Sequence, residues 1–194
     1  SINQKTVERF HGQWSVGEGV FALSTDELNR LNISSKELSL IRPYHDLKDL
    51  GRYTLADPPS LHLVYSTPKT CPDIRQFPRL ESHLERFRSI MAERRETKNG
   101  QNQWWHLHWP RDEEIWKTAK ILAVQMAARP AFVPAVNPTY VPFSVNVICP
   151  ASSVVEDILY FCGVLNSRLL WKWFQHYAKR RGTGLEINGH VLKR

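Results

Sequence analysis

Residues 120–148 read KILAVQMAARPAFVPAVNPTYVPFSVNVI. Lys120 to Met126 is a largely apolar run of strand length. Pro130, Pro134, Pro138 and Pro142 then recur every fourth residue. A proline in every turn removes a backbone donor each time, which excludes a helix. Val141, Phe143, Val145 and Val147 alternate with small or polar residues, the period of a half-buried strand, and the prolines place it near a sheet edge. The stretch therefore specifies β-structure. From Ile121 to Val155 its one charged residue is Arg129.

Helical patterns flank it. Ser153-x-x-Glu156 reads as a capping box opening a long C-terminal helix with Ile158, Phe161, Leu165, Leu169, Trp173 and Tyr177 in its apolar set. Between Asp157 and Glu186 no acid occurs, while Arg168, Lys172, Lys179, Arg180 and Arg181 all do. Gly182 to Gly184 ends this basic run, and Leu185 to Leu192 reads as a small hairpin turning at Asn188-Gly189. Upstream, residues 79–97 read as one helix with Leu80, Leu84, Phe87 and Met91 on its apolar face. Its arginines are matched by glutamates, so that face reads as solvated. Further upstream, Val20 to Leu23 and Leu61 to Tyr65 read as strands. Ser24-x-x-Glu27 and Ser34-x-x-Glu37 read as capping boxes, with Pro43 stopping the element after the second. The pattern predicts a single α+β (mixed α/β) domain over residues 1–194: a twisted β-sheet, flanking helices, and residues 1–16 as a leader without assigned structure.

Composition narrows the class. In 194 residues, 42% hydrophobic and 11% aromatic, there is ample material for a core, which excludes a disordered chain. No apolar run approaches the ~20 residues of a membrane helix, and no signal-peptide pattern opens the chain. Cys71, Cys149 and Cys162 are far apart and form no C-x-x-C, as in a reducing compartment. A cytoplasmic protein without membrane contact is expected. The net charge of +7 favours a polyanionic partner.

Catalytic motifs do not stand out. Asp57-Pro-Pro-Ser60 has the outline of an adenine-methyltransferase signature, but Ser60 replaces the aromatic that stacks on the flipped base, so it reads as a loop. Asp46-Leu47-Lys48 is half a nuclease motif without its partner acid. His106 and His108, in Trp104-Trp-His-Leu-His-Trp109, would share a strand face, yet no Cys or carboxylate stands close by to complete a metal site, and core packing is the expected role. Arg129 must reach solvent, an internal carboxylate or an anionic partner, and an arginine on a loop after a strand suits bidentate contact with guanine. Lys179 to Gly184 combines cations with backbone open to close approach, as phosphate contact requires; solvated charge is the alternative.

Four blocks, in order, carry a family resemblance. The first is Gly19-Val-Phe-Ala-Leu23 with Leu40-Ile-Arg-Pro-Tyr44 and Lys48-Asp-Leu-Gly-Arg-Tyr53. The second is Pro78 through Arg95 with Gln103-Trp-Trp-His-Leu-His-Trp-Pro-Arg111. The third is Lys120-Ile-Leu, Pro130-Ala-Phe-Val133 and Val145-Asn-Val-Ile148. The fourth is Leu159 to Leu169, including Leu165-Asn-Ser-Arg-Leu169, then Gly182 to Leu192. Together the chain resembles the C-terminal target-recognition domain of TaqI-like N6-adenine DNA methyltransferases and fused type IIG restriction–modification enzymes. The resemblance implies a fragment of a larger enzyme whose methyltransferase domain lies upstream. That domain would use S-adenosylmethionine, with no cofactor in this chain and no catalysis by it alone; whether a nuclease is fused to the parent stays open. It implies double-stranded DNA as the partner. On that basis Gln125 and Arg129 are the candidate base-reading residues, and Lys48, Arg52, Arg111, Lys179, Arg180 and Arg181 the candidate phosphate contacts. Two other classes stay open. One is a protein-interaction module docking a partner subunit through the aromatic cluster and the long helix; the other is a stand-alone hydrolase with metal at the Trp/His cluster.

Overall fold

The computed structural model describes residues 1–149, 155–182 and 184–192. It is an α+β chain whose contacts separate into two compact units. The first unit comprises residues 1–44 and 61–110, and the second residues 45–60 and 111–194. In place of one twisted sheet, the described residues form three small antiparallel ones, of three strands each.

The first unit contains α1 (Gln4–Arg9), β1 (Ala22–Leu23), α2 (Thr25–Leu31), α3 (Ser35–Leu38), β2 (Ile41–Tyr44), β3 (Leu61–Val64), α4 (Pro78–Glu85), α5 (Arg88–Ala92) and α6 (Arg95–Lys98). Its sheet order is β1-β3-β2, with Leu23 opposite His62 and Ile41 opposite Val64. Both capping boxes form as their spacing predicts, Ser24 with Glu27 and Ser34 with Glu37. Pro43 does not stop the element; it lies inside β2, an edge strand, where a missing N–H is tolerated.

The helix expected over 79–97 is three short ones. The Arg86 carbonyl accepts from the Trp14 indole at 3.1 Å, and Phe87 turns out of helical geometry (ψ 6°) to stack on Trp14. The break follows the packing, because Leu80, Leu84, Phe87 and Met91 are all still buried. Glu37 lies against the start of α4. Its Oε1 accepts from the backbone N–H of Arg79 (2.8 Å) and Leu80 (3.2 Å), at a helix start that has no side-chain cap of its own.

The second unit contains α7 (Glu114–Lys117), β4 (Lys120–Val124), β5 (Met126–Ala127), β6 (Phe132–Ala135), β7 (Val145–Ile148), α8 (Val155–Leu165), α9 (Arg168–Tyr177), β8 (Lys179–Arg181), β9 (Gly184–Glu186) and α10 (Gly189–Leu192). β4 is central in the order β6-β4-β7, and Lys120 to Ala123 are buried, as a continuous apolar run requires. Strand structure begins only at Val145; residues 141–144 form the approach to it. A second sheet has the order β5-β9-β8.

The long C-terminal helix is divided. Ser167 caps α9 by accepting from the Leu170 N–H, and the preceding Asn166 is buried. The break restarts the helical phase. Ile158, Cys162 and Phe174 are therefore buried, whereas Phe161 is exposed and Leu169 is 75% exposed. Ser153, the expected cap of α8, lies outside the described residues. The closing hairpin is also displaced: β8 pairs with β9 through the Gly182 turn, and Asn188 instead caps α10, its Oδ1 accepting from His190 and Val191 N–H. Gly182 has φ +56°, the left-handed region that glycine enters freely, and a Cβ on Gly184 would meet the Ala127 carbonyl oxygen at 3.3 Å.

Candidate nucleic-acid interface

All eight candidate residues fall in the second unit. Phe132, in β6, organises one group of them. Asn166 accepts from its N–H and donates to its carbonyl, which also accepts from the Tyr53 N–H at 3.3 Å. The 45–60 segment and the α8–α9 corner thus both anchor on the outer edge of β6. Arg52 follows from this: it is exposed, donates to the Asn166 carbonyl, and lies over the Tyr53 ring at 5.0 Å.

Arg129 stands two residues past β5, on the loop the sequence predicts, and is exposed. Its guanidinium lies 5.7 Å from the Trp171 ring centroid, and it meets no carboxylate among the described residues. A cation held over an indole keeps its charge and donors while losing freedom of motion. Trp171 is on α9. Arg168 and Lys172 are exposed on the same helix, three residues before and one after it. None of these three was among the candidate residues. The acid-free interval from 157 to 186 was the signal for the two cations; nothing local marks Trp171.

The basic run forms the strand β8. Lys179 pairs with Glu186 and Arg180 with Leu185, so Lys179 and Arg181 share one face of β8 and Arg180 takes the other. On the first face Arg181 donates to Glu186 at 2.6 Å. That bond, helped by Asn188, holds the Glu186 carboxyl below its ordinary pKa. Lys179 and Arg180 are exposed on opposite faces. Lys48 is exposed on a separate 3-10 turn over Leu47–Asp49.

Gln125 and Arg111 are engaged within the protein. The Gln125 amide nitrogen donates to the Phe143 carbonyl and to Asn146 Oδ1, both at 3.2 Å. Arg111 donates to the carbonyls of Phe143 (3.3 Å) and Val145 (2.9 Å), and its guanidinium lies over the Trp116 and Phe143 rings.

The excluded motifs have structural roles. Asp49 is buried and accepts from Ser60 Oγ at 2.6 Å and from the Asp46 N–H at 2.9 Å, tying the Asp57–Ser60 loop to the 3-10 turn. Burial raises the Asp49 pKa, but these donors outweigh it and hold the carboxyl below its ordinary value. In the first unit, His106 is buried with Nε2 3.0 Å from the Cys71 carbonyl; burial lowers its pKa. His108 turns instead to Glu96 at 3.3 Å. Among the described residues no group of three His, Cys, Asp or Glu is arranged to hold a metal, and no helix is long and apolar enough to cross a membrane.

No protein-family model matches the chain. Among solved structures it is similar to the type IIL restriction-modification enzyme MmeI, determined in complex with DNA. The TM-score is 0.58 at 13% sequence identity, over 88% of this chain and 22% of that one. The likeness is one of fold. The chain spans less than a quarter of the length of that neighbour.

Proposed function

We propose that this chain is the DNA target-recognition part of a restriction-modification enzyme. The observation that carries this is the fold likeness to a DNA-bound enzyme of that kind over most of the chain. The four sequence blocks favour the finer assignment, the specificity domain of a TaqI-like N6-adenine methyltransferase or a fused enzyme. In this reading S-adenosylmethionine and methyl transfer belong to an upstream domain of the same cytoplasmic parent. The present residues grip duplex DNA and fix its register beside that domain.

Arg129, held over Trp171, is the base-reading residue. Lys48, Arg52, Lys179 and Arg180 are exposed for phosphate contact, as are Arg168 and Lys172 on α9. Arg181 is largely neutralised by Glu186, and Gln125 and Arg111 serve the interface by holding the 142–145 segment. Titrating a labelled random-sequence duplex with the chain at several salt concentrations tests the proposal. A steep fall of affinity with salt is the expected result, and salt-insensitive or absent binding refutes it.

A second reading, docking against another domain of the same parent, is favoured by α8. Leu159, Tyr160 and Phe161 are exposed there together, and the neighbour carries far more chain than this fold accounts for. Concentration-dependent, salt-insensitive self-association of the isolated chain would support it.

A further inference from the structure

We infer that Phe143 is an aromatic wedge that stacks on DNA bases, an inference that rests on the DNA-binding reading above. Phe143 is 76% exposed, more than any other large apolar side chain among the described residues. A single exposed phenylalanine means little by itself. Its support is what distinguishes it. Residues 142–145 form a turn closed by the Val145 N–H donating to the Pro142 carbonyl at 3.0 Å. The next three carbonyls are engaged as well: Phe143 by Gln125 and Arg111, Ser144 by the Gln125 N–H, and Val145 by Arg111. Every carbonyl of the turn therefore has a donor, and three of these bonds come from two long polar side chains, Gln125 and Arg111, that reach across from other segments. The Arg111 guanidinium lies 5.4 Å from the Phe143 ring centroid.

A core does not need this arrangement, because the ring it fixes points to solvent. A stacking platform does. A ring already held in place loses little freedom on binding, and a cation behind it favours the electron-rich face of a base and the nearby phosphates. Proteins that distort duplex DNA insert such apolar side chains between base steps. Gln125 and Arg111 then act as positioning residues for Phe143 and need not touch DNA themselves.

The test uses the 194-residue chain and a short random-sequence duplex carrying 2-aminopurine, with the wild type, Phe143→Ala and Phe143→Trp compared across a salt series. Phe143→Ala is expected to lose about tenfold in affinity while the slope of affinity against salt stays unchanged, because no phosphate contact is removed. Phe143→Trp retains binding, and the fluorescence rise of unstacked 2-aminopurine appears with the wild type and Phe143→Trp only. Superimposable thermal melts confirm that the variants fold. Wild-type affinity in Phe143→Ala, or a loss accompanied by a shallower salt slope, overturns the wedge and leaves the DNA-binding reading standing. Failure of the wild type to bind the duplex at all brings down both.

Discussion

Asn166 grips Phe132 at both backbone groups: its Oδ1 accepts from the Phe132 N–H at 3.1 Å, and its Nδ2 donates to the Phe132 carbonyl at 2.7 Å. One side chain thus does for the outer edge of β6 what a neighbouring strand would do. In Asn166→Ala the buried N–H loses its partner, while the carbonyl keeps Tyr53. The expected loss is about 1–3 kcal/mol of unfolding free energy, measured by urea denaturation. Because the α8–α9 corner holds Arg52 through the Asn166 carbonyl, the proposed DNA-binding role expects DNA affinity to fall in the same variant.

Glu37 serves two helices, α3 through Ser34 and α4 through Arg79 and Leu80. Burial raises its pKa, yet the donors from these residues win and hold it below the ordinary carboxylate value. The folded carboxyl thus binds its proton less readily than the unfolded one. The stabilisation is complete above the unfolded pKa and is lost as pH falls through the lower folded value. Glu37→Ala should cost roughly 2 kcal/mol near neutrality and flatten the acid limb of a stability–pH curve.

Lys120 is fully buried, and its ammonium donates to the carbonyls of Trp116 (2.6 Å), Thr118 (2.8 Å) and Asn137 (3.4 Å). Burial lowers its pKa from 10.5 to about 8. Above that pH the folded chain releases a proton that the unfolded chain keeps until about 10.5, so stability rises with pH across the window. Urea midpoints measured between neutrality and pH 10 should climb for the wild type and stay flatter for Lys120→Met. Parallel curves would mean that Lys120 remains charged in the fold.

Arg129 and Lys172 should separate by kind of effect. On the proposed DNA-binding reading, with a preferred site selected from random duplexes, Arg129→Ala should cost about 1–3 kcal/mol on that site and relax one base position. Trp171→Ala should reproduce part of the loss by releasing Arg129, while Trp171→Phe keeps it. Lys172→Ala should weaken all sequences alike and lower the salt slope by about one. Unchanged site preference in Arg129→Ala, read by competition with random duplex, would remove its reading role.

The amino-acid sequence by itself determined what depends on neighbours along the chain. Ser24 and Ser34 cap their helices with Glu27 and Glu37 three residues on, and the apolar run from Lys120 forms the central buried strand. The prolines after it exclude a helix, and Arg129 stands out because nothing charged lies near it in sequence. Tertiary structure decided the rest. The apolar spacing at 79–97 holds, but the Trp14 indole, 72 residues away, ends α4 at Arg86. The amphipathic pattern continues through Asn166, yet Phe132 draws that side chain out of the pattern and the helix phase restarts. Arg111 and Gln125 look like free donors in sequence and are engaged by the 142–145 carbonyls in the fold. The physical reason is common to these cases. A helix or strand period records only which side of the chain is apolar. The choice among distant hydrogen-bond partners is made when buried polar groups must each find one, and only packing brings those partners together.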